Sequence, residues 1–147
     1  MPINNIVLIC TAVIAANLTF YVNERLKQGP VRSSAGLSLL VACFFTVFPH
    51  ILSPALVKNI PVVFIGGSFI GMVSAKLLSG YLRLSMAALV FSIIYLNTSK
   101  FFNGYGGALG TAASISVLVV LSLPFLNIKG KLTSGFQQIK KMIFSRR

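Results

Sequence analysis

The sequence predicts an all-α integral membrane protein with about five transmembrane helices, and three observations support that class. Apolar residues make up 56% of the 147 positions and charged residues only 10%, against about 25% charged in typical soluble domains. The mean hydropathy is +0.89, and several apolar runs approach the roughly 18 to 20 residues that cross a bilayer. Lys and Arg total 13 against one acidic residue. Apart from Lys76, they fall between or after the apolar runs, which favours anionic lipid headgroups as their partner and not nucleic acid.

The apolar segments are separated by proline, glycine and charged residues. The predicted spans cover positions 4–23, 34–48, 61–78, 84–99 and 106–126. Gly29 and Pro30 break the chain between the first two spans. Pro54 lies in the segment after the second span, which we expect to be a short outer loop or an interfacial stretch. Pro61 suits the first turn of a helix, so the third span is predicted to begin there.

Five spans place the two ends of the chain on opposite sides of the membrane. With the N-terminus outside, the outer loops hold only Lys58 and Lys100, and the other loop and tail cations lie inside. The positive-inside rule therefore predicts an N-out, C-in topology, which suits a bacterial inner membrane.

We expect residues 1–128 to form the transmembrane domain and residues 129–147 a basic cytoplasmic tail. The tail is predicted either to lie on an anionic inner leaflet as an amphipathic helix or to be a frayed charged end. The tail cations expected to meet lipid are Lys140, Lys141, Arg146 and Arg147.

Two glycine-rich helix faces match one another at an offset of 39 positions. The matched residues are Gly67 with Gly106, Gly71 with Gly110, and Ala75 with Ser114. Small residues four apart lie on one helix face and allow another backbone to approach closely, so we expect the two glycine-faced helices to pack together. The alternative is that bare glycine backbones, in the outer half of each span, line a narrow path. A weak internal repeat suggests that spans two-three and four-five are duplicated helical hairpins, because Arg32 and Arg83 each precede a Ser-containing apolar helix that is followed by a loop and a glycine-faced helix.

The candidate pathway or helix-packing residues follow from these faces. They are Gly67, Gly71, Ser74, Lys76, Gly106, Gly110, Thr111 and Ser114. Lys76 is the only charge inside a predicted span; it either extends to the inner headgroups or attracts an anion to the mouth of a path. The amides of Asn17, Asn97 and Asn103 are expected to form hydrogen bonds between helices or, alternatively, to line a polar path, with Asn103 in an outer loop or at a helix start.

Absent residue types limit the possible functions. With one Glu and one His and no Asp, the chain offers no paired carboxylates and no ligand cluster for a divalent metal, so we expect neither an enzyme nor a cofactor. Cys10 and Cys43 lie in apolar runs and are expected to pack as small hydrophobes. Two functions remain. One is a homo-oligomeric pore or transporter subunit for a small anionic or neutral solute. The other is a non-catalytic accessory or assembly subunit of a larger membrane complex.

Overall fold

A computed structural model describes residues 2–73, 77–78, 80–98 and 106–123. Within these ranges 85% of the residues are helical and none forms a strand. The helices are α1 (Pro2–Arg25), α2 (Pro30–Val47), α3 (Pro54–Gly71), α4 (Tyr81–Thr98) and α5 (Gly106–Ser122). Helices α1 to α4 are long and apolar enough to cross a membrane, and α5 is apolar but only 17 residues long. The predicted all-helical class with membrane-length helices is confirmed.

The connection between α1 and α2 lies where the sequence predicts it. Lys27 has a φ of 51° and Gly29 a φ of 85°, and these left-handed conformations reverse the chain within four residues. Pro30 then occupies the first turn of α2, where its missing N–H group breaks no helical hydrogen bond.

The third helix begins and ends seven residues earlier than the predicted span 61–78. It begins at Pro54 and ends at Gly71, and Pro61 lies inside it and not in its first turn. Pro54 occupies the first turn after Ser53. Residues 54–60, the larger part of the segment 49–60 that was expected to be an outer loop or an interfacial stretch, are therefore helical, whereas residues 49–53 are not. An interior proline removes one backbone hydrogen bond, a loss that membrane helices tolerate when neighbouring helices support them. The glycine face consequently lies in the C-terminal half of α3, opposite to the prediction, and α3 ends before Lys76.

The core of the bundle is formed by α1, α3 and α4. Ala12, Ile70, Leu84 and Phe91 are fully buried there, with relative exposures of 0%. Helix α2 packs on the outside against α3 and α1, and α5 packs against α4 and α3.

Interhelical contacts fix the directions of the first four helices. Helix α3 runs parallel to α1, because Gly67 lies against Ala12 and Gly71, further along α3, lies against Thr19, further along α1. The start of α2 lies beside the end of α3. Helix α4 is antiparallel to α1, because Ser85 near its start contacts Asn17 near the end of α1. Helices α1 and α3 therefore run one way, and α2 and α4 run the other.

Helix α1 extends beyond the neighbouring helices at one end of the bundle. The rings of Phe20 and Tyr81 meet edge to face with centroids 5.6 Å apart, so α4 begins beside Phe20. Helix α3 ends at the same level, because Gly71 lies against Thr19. The last five residues of α1 therefore project past both helices by about 7.5 Å. We call this the Arg25 end of the bundle and the opposite one the Lys58 end.

Candidate functional site: the glycine faces and the groove beside α5

The glycine face of α3 lies directly against α1. A methyl group built on Gly67 would be 2.8 Å from the Ala12 carbonyl oxygen and 3.0 Å from the Cβ of Ala15. A methyl group on Gly71 would be 2.5 Å from the Ala16 carbonyl oxygen. Both glycines are buried. Absence of a side chain at these two positions thus permits the two backbones to approach closely.

Among the described residues, the matching face of α5 is open. A methyl group on Gly107 or on Gly110 would meet none of their atoms within 4 Å. Thr111 and Ser114 are exposed on the same helix. Their hydroxyl groups donate to carbonyl oxygens of α5 itself, at 2.9 Å in both cases.

The expected packing of the two glycine faces against each other is therefore not the arrangement of the described residues. Gly67 and Gly71 have atoms of α1 as their nearest neighbours, and a methyl group on Gly110 would have none of the described atoms within 4 Å. The physical reason is that α1 supplies its own small residues at the same level, which leaves no room for α5 on that side of α3.

A groove of about 620 Å³ runs between the end of α3 and the open side of α5. Its lining combines two of the predicted site residues with a mainly apolar wall. The lining residues are Phe69, Val73, Leu77, Gly110, Ala113, Ser114, Val117, Leu118 and Leu121. An apolar wall of this kind suits another helix or an acyl chain better than a hydrated ion.

A third glycine of α3, Gly66, packs against an aromatic ring of α4. Gly66 lies against the ring of Phe91, so closely that any Cβ at this position would overlap the ring atoms. Phe91 is fully buried and stacks on Tyr95 with centroids 6.1 Å apart. Gly66 therefore fixes the contact between α3 and α4, a role that the glycine spacing alone did not indicate.

A serine cluster joins α2 to α3. The Oγ of Ser68 lies 2.7 Å from that of Ser34 and 3.3 Å from that of Ser38. Ser68 also donates to the Ile65 carbonyl oxygen at 2.7 Å. This cluster was not predicted, although Ser34 and Ser38 are four apart in an apolar run, a spacing that places both hydroxyl groups on one helix face.

Two more polar contacts connect helices. The amide of Asn17 donates to Ser85 at 2.9 Å, which agrees with its expected interhelical bond, whereas that of Asn97 donates to the Ile93 carbonyl of its own helix at 2.8 Å. At the Lys58 end the hydroxyl of Tyr95 donates to Asn59 at 2.9 Å.

In the described ranges, two buried polar atoms have no hydrogen-bond partner, the Oδ1 of Asn17 and the Oγ1 of Thr19. The two residues lie two positions apart on α1, so their side chains point to different faces of the helix and do not form one site.

Several predicted site residues are not described. Ser74, Lys76, Asn103 and the four tail cations expected at the lipid surface lie outside the described residues, and Gly106 begins α5. Cys10 and Cys43 are free thiols on exposed helix surfaces. Among the residues in the described ranges, no three His, Cys, Asp or Glu side chains lie close enough to hold a metal ion.

Comparison of the chain with protein-family models, with curated proteins and with solved structures finds no match.

Proposed function

We propose that this chain is a non-catalytic multi-pass membrane subunit that assembles laterally in the bilayer through the open face of α5. The observation that carries the proposal is the difference between the two glycine faces. That of α3 is filled by α1, whereas the described part of the chain leaves open space at Gly107 and Gly110 of α5, beside a groove. In a membrane, small residues on an open helix face allow a second helix to approach closely.

The proposed occupant of the groove is α5 of a second copy. Copies inserted in the same orientation are related by a twofold axis along the membrane normal, so the residues of α5 that face this axis meet the same residues of the partner. Gly107 and Thr111 are four apart, and so are Gly110 and Ser114, which is the small-residue spacing of parallel helix pairs. Helix α2 is a poorer candidate, because its exposed surface carries large side chains such as Leu39 and Leu40, which suit lipid.

The distribution of charge supports an N-out orientation. Of the described Lys and Arg residues, four lie at the Arg25 end and only Lys58 lies at the opposite end. The positive-inside rule would place the Arg25 end at the cytoplasmic face, as in a bacterial inner membrane.

Cysteine cross-linking in native membranes tests the pairing of α5. Both natural cysteines are exposed, so Cys10→Ala and Cys43→Ala provide the background. Ser114→Cys is expected to form a disulfide-linked dimer on oxidation, because paired Cα atoms about 4.4 to 6.8 Å apart can be bridged. Leu40→Cys, on the exposed surface of α2, is the matched control and is expected to remain monomeric. Equal cross-linking of the two variants, or none at Ser114→Cys, would contradict the pairing.

A pore or transporter subunit for a small anionic or neutral solute is the second candidate. It is favoured by the placement of the Thr111 and Ser114 hydroxyl groups on the open face of α5, where two copies would bring them together. Flux of small anions in liposomes that contain the protein discriminates the two functions. A pore predicts that Lys76→Gln alters anion flux, whereas a non-catalytic subunit predicts no flux above that of empty liposomes for either protein.

A further inference from the structure

The Arg25 end of the bundle carries a compact basic cluster. Arg25 is the last residue of α1, Lys27 lies in the connection, and Arg32 lies in the first turn of α2. All three are exposed. They occur within eight consecutive positions, and the left-handed conformations at Lys27 and Gly29 keep the connection short. The cluster, defined as Arg25, Lys27 and Arg32, therefore presents three cations on one reversal of the chain.

The level of this cluster along the bundle corresponds to that of lipid headgroups. Helices α3 and α4 end or begin beside Phe20, and Arg25 lies about 7.5 Å further along α1. A headgroup layer is about 5 to 8 Å thick on each side of the hydrocarbon core. A bilayer whose hydrocarbon ends where α3 and α4 end would thus have the cluster among its phosphate groups.

Exposed apolar side chains lie between the cations. Leu26 is 55% exposed and Val31 is 70% exposed. Alternating cationic and apolar residues are typical of a segment at a membrane surface, where the apolar side chains enter the acyl boundary and the cations contact headgroups. Nucleic acid, which is contacted mainly through its phosphates, would gain little from these exposed apolar groups, whereas the acyl boundary of a membrane would bury them.

We infer that Arg25, Lys27 and Arg32 form a binding surface for the phosphate of an anionic phospholipid, and that they select such a lipid over a zwitterionic one. The guanidinium and ammonium groups would contact a phosphate group, and this phosphate belongs to a lipid headgroup with a net negative charge. The inference rests on the membrane placement proposed above but not on the pairing of α5, because a monomer in detergent carries the complete cluster.

The experiment compares lipid binding by three purified full-length proteins in a mild non-ionic detergent. Phosphatidylglycerol or phosphatidylcholine is titrated in, and native mass spectrometry measures the bound fraction. The proteins are the wild type, the triple variant Arg25→Gln, Lys27→Gln and Arg32→Gln, and the control Lys58→Gln at the opposite end. Each cation near an anionic headgroup contributes a factor of about five in affinity, so the triple variant is expected to bind phosphatidylglycerol about a hundredfold more weakly. The control is expected to bind like the wild type.

Further variants and a competition with inorganic phosphate distinguish headgroup binding from a general charge effect and from free-anion binding. Charge-retaining substitutions Arg25→Lys and Arg32→Lys are expected to keep most of the preference for phosphatidylglycerol, and circular dichroism checks that every variant remains helical. Inorganic phosphate at millimolar concentration is expected not to displace the lipid. A triple variant that retains the wild-type preference would overturn the inference. An equal loss in Lys58→Gln, or displacement by phosphate alone, would also overturn it, because the binding would then be a general charge effect or free-anion binding.

Discussion

Gly67→Ala tests the close contact between α3 and α1 with the smallest possible perturbation. The added methyl group would lie 2.8 Å from the Ala12 carbonyl oxygen and 3.0 Å from the Cβ of Ala15. Favourable contacts between heavy atoms lie at about 3.5 to 4.0 Å, so the two helices must separate by about 0.5 Å or more. The obstructing carbonyl belongs to a helix backbone and cannot rotate away as a flexible side chain can. Overpacking of this kind costs about 1 to 3 kcal/mol.

The matched control is Gly36→Ala in α2, because a methyl group there would meet no atom within 4 Å. Both substitutions gain about 0.5 to 1 kcal/mol from the better helix propensity of alanine, so this gain cancels in the comparison. We therefore expect Gly67→Ala to have a free energy of unfolding about 1 to 3 kcal/mol below that of Gly36→Ala. The assay is unfolding by sodium dodecyl sulfate in detergent micelles, followed by far-ultraviolet circular dichroism. A Gly67→Ala protein as stable as the Gly36→Ala protein would refute the close α1–α3 contact.

Two further contacts give predictions of the same kind. Ser68→Ala removes the hydroxyl group that joins α2 to α3 and is expected to lower the free energy of unfolding by about 0.6 kcal/mol; Ser116→Ala, whose hydroxyl donates within its own helix at 2.7 Å, is expected to cost less. An equal loss in both would show that the interhelical bond contributes nothing measurable. Gly66→Ala should destabilise the bundle because its methyl group overlaps the Phe91 ring, and Phe91→Leu in the same chain should recover part of that loss. Strictly additive effects in this double-mutant cycle would contradict the direct contact.

The sequence was informative about the helices and less so about their partners. Composition and apolar run length predict the membrane-length helices, and the Gly29-Pro30 pair predicts the break after α1. The third helix was misplaced because both Pro54 and Pro61 can occupy a first turn, and only the surrounding bundle shows that the helix continues through Pro61.

The spacing of Gly67 and Gly71 indicates a face open to close approach, and α1 is the helix that lies against it. Spacing alone does not identify the approaching helix. The missed signal lies in α1, where Ala12 and Ala16 are four apart and Ala15 and Thr19 are four apart. The predicted N-out topology, the duplicated hairpins and the roles of Ser74 and Lys76 remain predictions.

The mass of the complex extracted from native membranes tests the central claim most directly. Native mass spectrometry of the wild-type protein in mild detergent is predicted to give a species of twice the 15.8 kDa chain mass, and Gly110→Leu, which fills the open face of α5, is predicted to give the monomer. A wild-type monomer, or a wild-type dimer that Gly110→Leu leaves intact, would contradict assembly through α5. A stoichiometric complex with a different chain would keep the assembly role but replace the second copy as the occupant of the groove.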